Sequence, residues 1–371
     1  MEVDVDLMTK RSDPEANDQD RDPRMSQFRA SLERGAFTVT AEIGPPRGAS
    51  TGAITRKVAA LRDWVTAVNI TDNQGAAVRL SSWAGSLAAM AAGVEPIMQV
   101  TCRDRNRIAL QSDLLGAAAV GIPNILAMTG DHPKVGDHAS AKPVFDLDSI
   151  QLLGAARIMR DEGRLMSGRE LKPPPSWFLG SVENPGVPPD GSGAARLGKK
   201  VAAGAQFVQT QYVFDARPFG EWLSQVRDLG LHERCYILAG VGPISSLRAL
   251  SHLEEHVPGV QVPAELSRRL RGVPEDRLAD EAMTACAETI SELRQIPGVA
   301  GVHVMAVANE HRIPAILRLA GLSEGRGLAS LSEVGGAAGA SATAGQRSAR
   351  ADATRGGLGG SSPRGDTDHA G

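Results

Sequence analysis

The sequence predicts an α/β protein whose fold class is the (β/α)8 TIM barrel, a single domain between two disordered tails. Eight short apolar segments alternate with eight helical patterns, which favours a closed barrel over an open sheet. The strand-like segments are apolar on both faces, as parallel strands covered by helices are. No GxGxxG motif follows any of them, which disfavours a doubly wound dinucleotide-binding fold.

Composition sets the domain boundaries. Residues 1–25 carry many charges without apolar periodicity, and residues 326–371 are mainly Gly, Ala, Ser, Thr and Arg. Neither segment has enough apolar area to offset the entropy that ordering would cost. We therefore expect a disordered N-terminal lead, a folded barrel over residues 26–325 and a disordered C-terminal tail.

Each predicted strand is followed by a helical pattern, and Gly or Pro marks many of the joins. The predicted strands are residues 37–43, 65–71, 95–101, 124–129, 177–182, 207–212, 235–241 and 301–307. The predicted helices are residues 51–64, 83–92, 106–119, 149–161, 196–203, 218–229, 245–253 and 275–295.

Charge and cysteine content narrow the function classes. A net charge of −3 over 371 residues gives no reason to expect nucleic acid or an anionic membrane as a partner. The three cysteines are isolated, which indicates a reducing compartment rather than a disulfide framework. Since the chain also shows no membrane-spanning run and no signal peptide, we expect a soluble cytoplasmic protein.

Glu42 is the first candidate for chemistry. It ends a β-branched run just before Pro45 and Pro46, which stop the strand because proline has no N–H to donate. In a barrel, the C-terminal ends of the strands carry the active site. A lone carboxyl among apolar neighbours holds its proton longer, so Glu42 is a candidate proton donor. The alternative is a solvated glutamate at a strand end.

Polar groups close nearly every other predicted strand, and a barrel would gather them on one face. They are Thr71 to Asn73, Thr101 to Asp104, Thr129 to His132, Glu183 and Asn184, Gln209 to Tyr212, and Gly240 to Pro243.

Three further residue types need an interpretation. His132 stands beside Pro133 without HxH or HExxH spacing, so we expect a loop or cap residue and no metal site. Cys102 has no histidine placed beside it and is expected to pack in the core. Lys199 and Lys200 could face solvent, or one could reach an anionic phosphate at the barrel entrance.

The ordered set of strand-end motifs resembles the methylenetetrahydrofolate reductase family, the flavin-dependent (β/α)8 barrels of one-carbon metabolism, in a divergent bacterial branch. The matching segments are AEIGPP (41–46), NITD (69–72), VTC (100–102), LAMTGD (126–131), KKVAAGA (199–205), TQYVFD (210–215) and GVGPIS (240–245).

The resemblance implies FAD as cofactor, NADH or NADPH as electron donor and a reduced folate as substrate. It implies that 5,10-methylenetetrahydrofolate is reduced to 5-methyltetrahydrofolate, which supplies methyl groups for methionine synthesis. Two alternatives stay open. Electrons could come from a partner protein, or the chain could be a non-catalytic subunit that binds folate or flavin. A homo-oligomer is also left open.

The resemblance also implies roles for single residues. Glu42 aligns with the general acid that protonates folate N10, Asp131 with an acid between flavin and pterin, and Gln211 with a substrate-binding amide. The positions that align with the flavin site are Thr71, Asp72, Gln99, Thr129, Gly130, Asp131, Asn184 and Lys200. Leu253 aligns with a helix position that touches folate or nicotinamide in some members.

Several of these positions depart from the family pattern. Gln99 and Asn184 stand where histidine is common, Thr129 replaces an arginine, and Asp72 replaces a tyrosine. Leu253 stands where some members have phenylalanine. The pterin end of the site therefore looks intact, while the edges that hold nicotinamide, the glutamate tail and the flavin adenine look altered.

Overall fold

Eight parallel strands close into a barrel in sequence order, β1 to β8. The computed structural model describes residues 26–187, 192–257 and 259–323. The strands are β1 Thr38–Ile43, β2 Ala67–Ile70, β3 Glu95–Thr101, β4 Asn124–Met128, β5 Phe178–Glu183, β6 Phe207–Tyr212, β7 Tyr236–Val241 and β8 Val299–Val304. The predicted TIM barrel is confirmed, and the tails predicted to be disordered lie outside the described residues.

Helices cover the outside of the barrel. They are α1 Gln27–Glu33, α2 Gly52–Leu61, α3 Ser82–Ala91, α4 Arg107–Ala119, α5 Ser149–Asp161, α6 Gly193–Ala203, α7 Ala216–Asp228, α8 Leu247–His256, α9 Ala264–Arg271, α10 Glu275–Leu293 and α11 Ile313–Leu319. Every predicted helix is present, with ends shifted by a few residues. The prediction missed α1, α9 and α11, which have only seven or eight residues each.

The last strand lies earlier in the chain than predicted. It begins at Val299, which pairs with Ile237 of β7, and it ends at Val304 rather than at residue 307. Ala308 follows with a left-handed φ of 60°, a conformation that no regular strand adopts. The apolar run therefore continues past the strand into a turn at the mouth of the barrel.

Helix α1 closes the N-terminal end of the barrel. Ser26 caps it by accepting a hydrogen bond from the backbone N of Arg29 at 3.0 Å. The ring of Phe28 is fully buried and meets Phe178 and Phe207, the first residues of β5 and β6, edge to face at 5.6 and 4.9 Å. Apolar packing thus seals the end opposite the site.

The barrel interior changes character along its axis. Near α1 it is an apolar layer that includes Ala67, Ile97, Leu126 and Leu238. One layer further on, the inward residues are polar and buried: Thr40, Asn69, Gln209 and His303. The polar layer forms the floor of the cavity described next.

Candidate active site

A cavity of about 1150 Å³ opens at the C-terminal ends of the strands. All of the predicted site residues line it: Glu42, Thr71, Asp72, Gln99, Thr129, Gly130, Asp131, Asn184, Lys200, Gln211 and Leu253. Parallel strands in a barrel end on one face, so residues far apart in sequence meet there. Arg103 and Tyr212, which belong to the strand-end polar groups but had no assigned role, also line the cavity, and so do Gln74 and His303, which were not predicted.

Glu42 lies on the floor of the cavity, with its side chain 11% exposed. Its neighbours are polar, so the expectation of apolar surroundings was wrong. Gln74 donates to Oε1 at 3.2 Å, Gln99 donates to Oε2 at 3.4 Å, and His303 Nε2 lies 3.8 Å from Oε2. The strand pattern could not show this, because the three neighbours come from other strands and from the loop after β2.

The polar layer beneath Glu42 is a continuous chain of hydrogen bonds. Asn69 and Gln209 exchange two amide hydrogen bonds of 2.6 and 3.0 Å across the barrel. Gln209 Nε2 also donates to Thr40 Oγ1 at 3.1 Å, and Thr40 Oγ1 lies 3.0 Å from His303 Nδ1. The available signal was strand alternation, since Thr40, Asn69 and Gln209 stand two positions before Glu42, Thr71 and Gln211.

One carboxylate oxygen of Asp72 is engaged by three protein groups. Its Oδ2 accepts hydrogen bonds of 2.9 Å from both the backbone N and the Oγ1 of Thr101, and it forms an ion pair with Arg105. Arg105 continues the chain to Asp113 at 2.9 Å. The geometry gives Asp72 the task of fixing the loop after β3 at the cavity wall.

The loop after β4 approaches the cavity through Gly130. This residue has a φ of +87°, and a Cβ there would lie 3.0 Å from the Cβ of Thr101. The exposed Asp131 follows, and its backbone oxygen accepts a hydrogen bond of 3.4 Å from the buried Arg103. Thr129 Oγ1 accepts from the backbone N of Ser149, the first residue of α5, at 3.2 Å.

Lys200 is buried in a charge cluster rather than solvated. Its Nζ lies 3.0 Å from Oε2 of Glu183, whose other oxygen pairs with Arg196. The side chain of Glu183 is fully buried. Removal from water lowers the pKa of Lys200, although the attraction of Glu183 opposes that shift. Two cations on one carboxylate leave a net positive charge on this wall.

The wall after β6 is aromatic. Gln211 Oε1 accepts a hydrogen bond of 3.0 Å from the backbone N of Tyr212. The ring of Tyr212 stacks on Phe214 at 5.4 Å, and its hydroxyl donates to the backbone oxygen of Met305 at 2.9 Å. Burial, and next the charge of Glu42, raise the pKa of Tyr212 above its usual range, so it remains a neutral donor.

Asn184 and Leu253 lie at the edges of the cavity. Asn184 Oδ1 accepts a hydrogen bond of 3.1 Å from the backbone N of Gly186, which shapes the turn after β5. Leu253 is half-buried on α8 and packs against the apolar cluster that includes Leu250. The α8 side of the cavity therefore presents a partly apolar surface.

The surroundings of Cys102 and His132 give both residues a structural role. Cys102 is buried, and desolvation raises the pKa of its thiol to about 12, which suits core packing rather than nucleophilic attack. His132 caps a short 3-10 turn by accepting a hydrogen bond of 3.2 Å from the backbone N of Lys134. Within the described ranges, no group of three His, Cys, Asp or Glu side chains is arranged to hold a metal ion.

The family model described as methylenetetrahydrofolate reductase matches residues 27–321, the whole barrel. The chain belongs to the methylenetetrahydrofolate reductase family. The resemblance inferred from the strand-end motifs is thereby confirmed.

The curated relatives of this methylenetetrahydrofolate reductase family member are distant in sequence. A probable methylenetetrahydrofolate reductase (NADPH) of Caenorhabditis elegans is 25% identical over 233 residues, 62% of this chain and 33% of that protein. Methylenetetrahydrofolate reductase (NADH) 1 of Arabidopsis thaliana is 28% identical over 196 residues, 52% of this chain and 31% of that protein. The match spans about a third of the length of each relative.

One solved structure shows the same fold. It is an uncharacterized protein from Clostridium thermocellum that binds two copies of 5-methyl-5,6,7,8-tetrahydrofolic acid. The TM-score is 0.57 at 13% identity, and the match covers 78% of this chain and 97% of that one. At this identity the likeness supports the barrel fold alone.

No helix within the described part of the chain is both long enough and apolar enough to span a membrane.

Proposed function

We propose that this chain reduces 5,10-methylenetetrahydrofolate to 5-methyltetrahydrofolate with FAD as cofactor and NADH or NADPH as electron donor, and so supplies methyl groups for methionine synthesis. The observation that carries the proposal is the position of Glu42. Its carboxyl group lies on the floor of a large cavity, in a chain that belongs to this reductase family.

The residues present fit a flavin. Thr71 Oγ1 is buried in the cavity wall and has no hydrogen-bond partner among the described residues, so a ligand that bonded it would satisfy it. The backbone at Gly130 leaves room for close approach, because a Cβ there would crowd Thr101. The net positive charge of Lys200 and Arg196 around Glu183 suits an anionic diphosphate.

Bound FAD would supply the hydride, and the protein must supply a proton. Glu42 protonates N10 of the folate as the bond between N10 and the methylene carbon breaks, which leaves an electrophilic carbon on N5. Addition of the hydride that bound FAD would supply to this carbon would form the methyl group. The products are 5-methyltetrahydrofolate and the Glu42 carboxylate, so the proton and the hydride are both accounted for.

Asp131 and Gln211 would orient the pterin. The carboxylate of Asp131 is an acceptor suited to the pterin amino group, and the carboxamide of Gln211 offers a donor and an acceptor together. Both residues line the cavity that holds Glu42. Their common location supports a single binding site in which N10 faces the acid.

The first test is the absorption spectrum of the purified protein, followed by anaerobic mixing with NADH and with NADPH. We expect flavin bands that bleach with at least one of the nucleotides, and 5-methyltetrahydrofolate when the folate is added. A protein that takes up no flavin after reconstitution would overturn the proposal.

The same experiment separates the two alternatives. If neither nucleotide bleaches the flavin but the dithionite-reduced protein still converts the folate, the electrons come from a partner protein. If the protein binds flavin and folate but the reduced form converts nothing, it is a non-catalytic binding subunit.

A further inference from the structure

His303 lies directly beneath Glu42 at the boundary between the floor and the cavity. Its ring is 3% exposed, and its Nε2 is the nearest ring atom to Glu42 Oε2 at 3.8 Å. Register places it inside the barrel, where Thr40 of β1 pairs with it. No motif of the sequence marked this residue, and the proposed reaction assigns it no part.

The hydrogen-bond chain of the floor favours one tautomer of His303. Both amide hydrogens of Gln209 are used, one on Asn69 Oδ1 and one on Thr40 Oγ1. Thr40 Oγ1 therefore accepts from Gln209 and has its own hydrogen left for the ring, 3.0 Å away. A hydroxyl oxygen can accept twice, but the ring is the one acceptor within reach of the Thr40 hydrogen among the described residues. This pairing favours Nδ1 as the acceptor and, in the neutral ring, a proton on Nε2, which faces Glu42.

The surroundings of the two carboxyl oxygens of Glu42 differ as a result. Oε2 faces the N–H groups of His303 and Gln99, whereas Oε1 faces only Gln74, from the loop after β2. An oxygen that faces two donors is the poorer site for a proton. The acidic proton thus belongs on Oε1.

We propose that His303 is a positioning residue: held as the Nε2–H tautomer by Thr40, Gln209 and Asn69, it binds Glu42 Oε2 and so directs the protonated Oε1 toward the substrate. The separation of 3.8 Å is longer than a hydrogen bond. Such contacts are often long without substrate and tighten in the complex. The kinetic consequence rests on the proposed folate reduction, whereas the tautomer is a property of the protein alone.

The tautomer is tested by long-range ¹H–¹⁵N spectroscopy of the full-length protein with labelled histidines. The signal of His303, one of eight histidines, is identified by its loss in His303→Gln. We expect the Nε2–H form in the wild type and in Thr40→Ser, which keeps the hydroxyl, and a loss of that preference in Thr40→Val. The Nδ1–H form in the wild type would overturn the proposal.

The positioning role is tested with protein that has been reduced by dithionite and mixed with 5,10-methylenetetrahydrofolate. We expect His303→Leu to slow folate reduction about 100-fold, because a misplaced reacting group costs that much. His303→Gln, which keeps a donor near the Nε2 position, should recover most of the rate, and FAD affinity should change less than twofold in both.

Three outcomes are decisive. A His303→Leu protein that folds and reduces folate at the wild-type rate contradicts the role. If His303→Leu does not fold, the pair Thr40→Val and Thr40→Ser decides, since only Thr40→Val, which loses the hydroxyl, should be slow. A wild type that reduces no folate contradicts the proposed function instead, and the tautomer measurement still decides whether the floor orients His303.

Discussion

Glu42, the proposed proton donor, has polar neighbours on both carboxyl oxygens. Donors from Gln74, Gln99 and His303 converge on its two oxygens. The proposed proton transfer from Oε1 would require Gln74, the only one of the three on a loop, to leave that oxygen when folate binds.

The left-handed backbone of Gly130 shapes the cavity wall after β4. Gly130→Ala should lower the free energy of unfolding by about 1–3 kcal/mol, because alanine is strained at positive φ. Here φ is +87°, and the new Cβ would also lie 3.0 Å from that of Thr101. Equilibrium urea denaturation measures the change.

Gly154 provides the matched control for this substitution. It lies within α5, and no atom falls within 4 Å of the position that a Cβ would take. Gly154→Ala should stabilise the protein by about 0.5–1 kcal/mol, the usual gain in a helix interior. Equal effects of the two substitutions would show that the conformation of Gly130 is not specially constrained.

Sequence patterns identified only those residues of the candidate site whose position follows from the topology of a barrel. Glu42, Asp131 and Gln211 stand directly at strand ends, where the topology of a barrel alone places them. His303 and Arg103 could not be assigned, because their importance lies in contacts between strands and loops that are distant in sequence. The donors around Glu42 were missed for the same reason, so its surroundings were wrongly expected to be apolar.

Among the elements, α1 shows most clearly how the barrel is closed. Its sequence QFRASLE has only seven residues, too few for a periodic pattern to predict a helix. The sequence alone could not predict the packing of this helix, because it depends on where the strands lie. Ser26 caps the helix, and Phe28 is buried against Phe178 and Phe207. Helix α9 has eight residues and is rich in arginine, and it was missed for the same reason.

Phe28→Ala tests the contribution of α1. We expect a loss of about 3–5 kcal/mol in the free energy of unfolding, as for other large-to-small changes in a core. The side chain is fully buried within an aromatic cluster, so little of the cavity left behind can collapse. The control is Leu319→Ala in α11, where the leucine is 58% exposed and the change should stay within about 0.5 kcal/mol.

Glu95 joins α1 to the strands and should make stability depend on pH. It accepts hydrogen bonds from Ser26, from the backbone N of Gln27 and from Asn124, yet burial outweighs them and raises its pKa above 4.5. The native state then binds the proton more tightly than the unfolded chain. The stabilisation is complete below pH 4.5 and is lost as the pH rises through the native-state pKa.

The measurement is the free energy of unfolding of the wild type minus that of Glu95→Gln, at a series of pH values above 4.5. Other titrating groups cancel in this difference. We expect the difference to fall as the pH rises. A difference that grows with pH would mean that the hydrogen bonds, not burial, dominate at Glu95.

At the scale of the whole molecule, the barrel separates stability from chemistry along its axis. The apolar layer and Phe28 close one end, the polar layer of Thr40, Asn69, Gln209 and His303 lies in the middle, and the cavity opens at the other end. The alternation of strands and helices was sufficient to predict this architecture. The layering was not predicted, because it depends on the register between neighbouring strands.

The most direct test of the account is a single-turnover experiment on Glu42→Gln. Wild type and variant are reconstituted with FAD, reduced with dithionite under anaerobic conditions and mixed with 5,10-methylenetetrahydrofolate while flavin absorbance is followed. We expect the variant to reoxidise about 10²–10⁴-fold more slowly, the usual contribution of a general acid, while NADH or NADPH reduces both proteins at similar rates. Reoxidation of Glu42→Gln by folate at the wild-type rate would contradict the account.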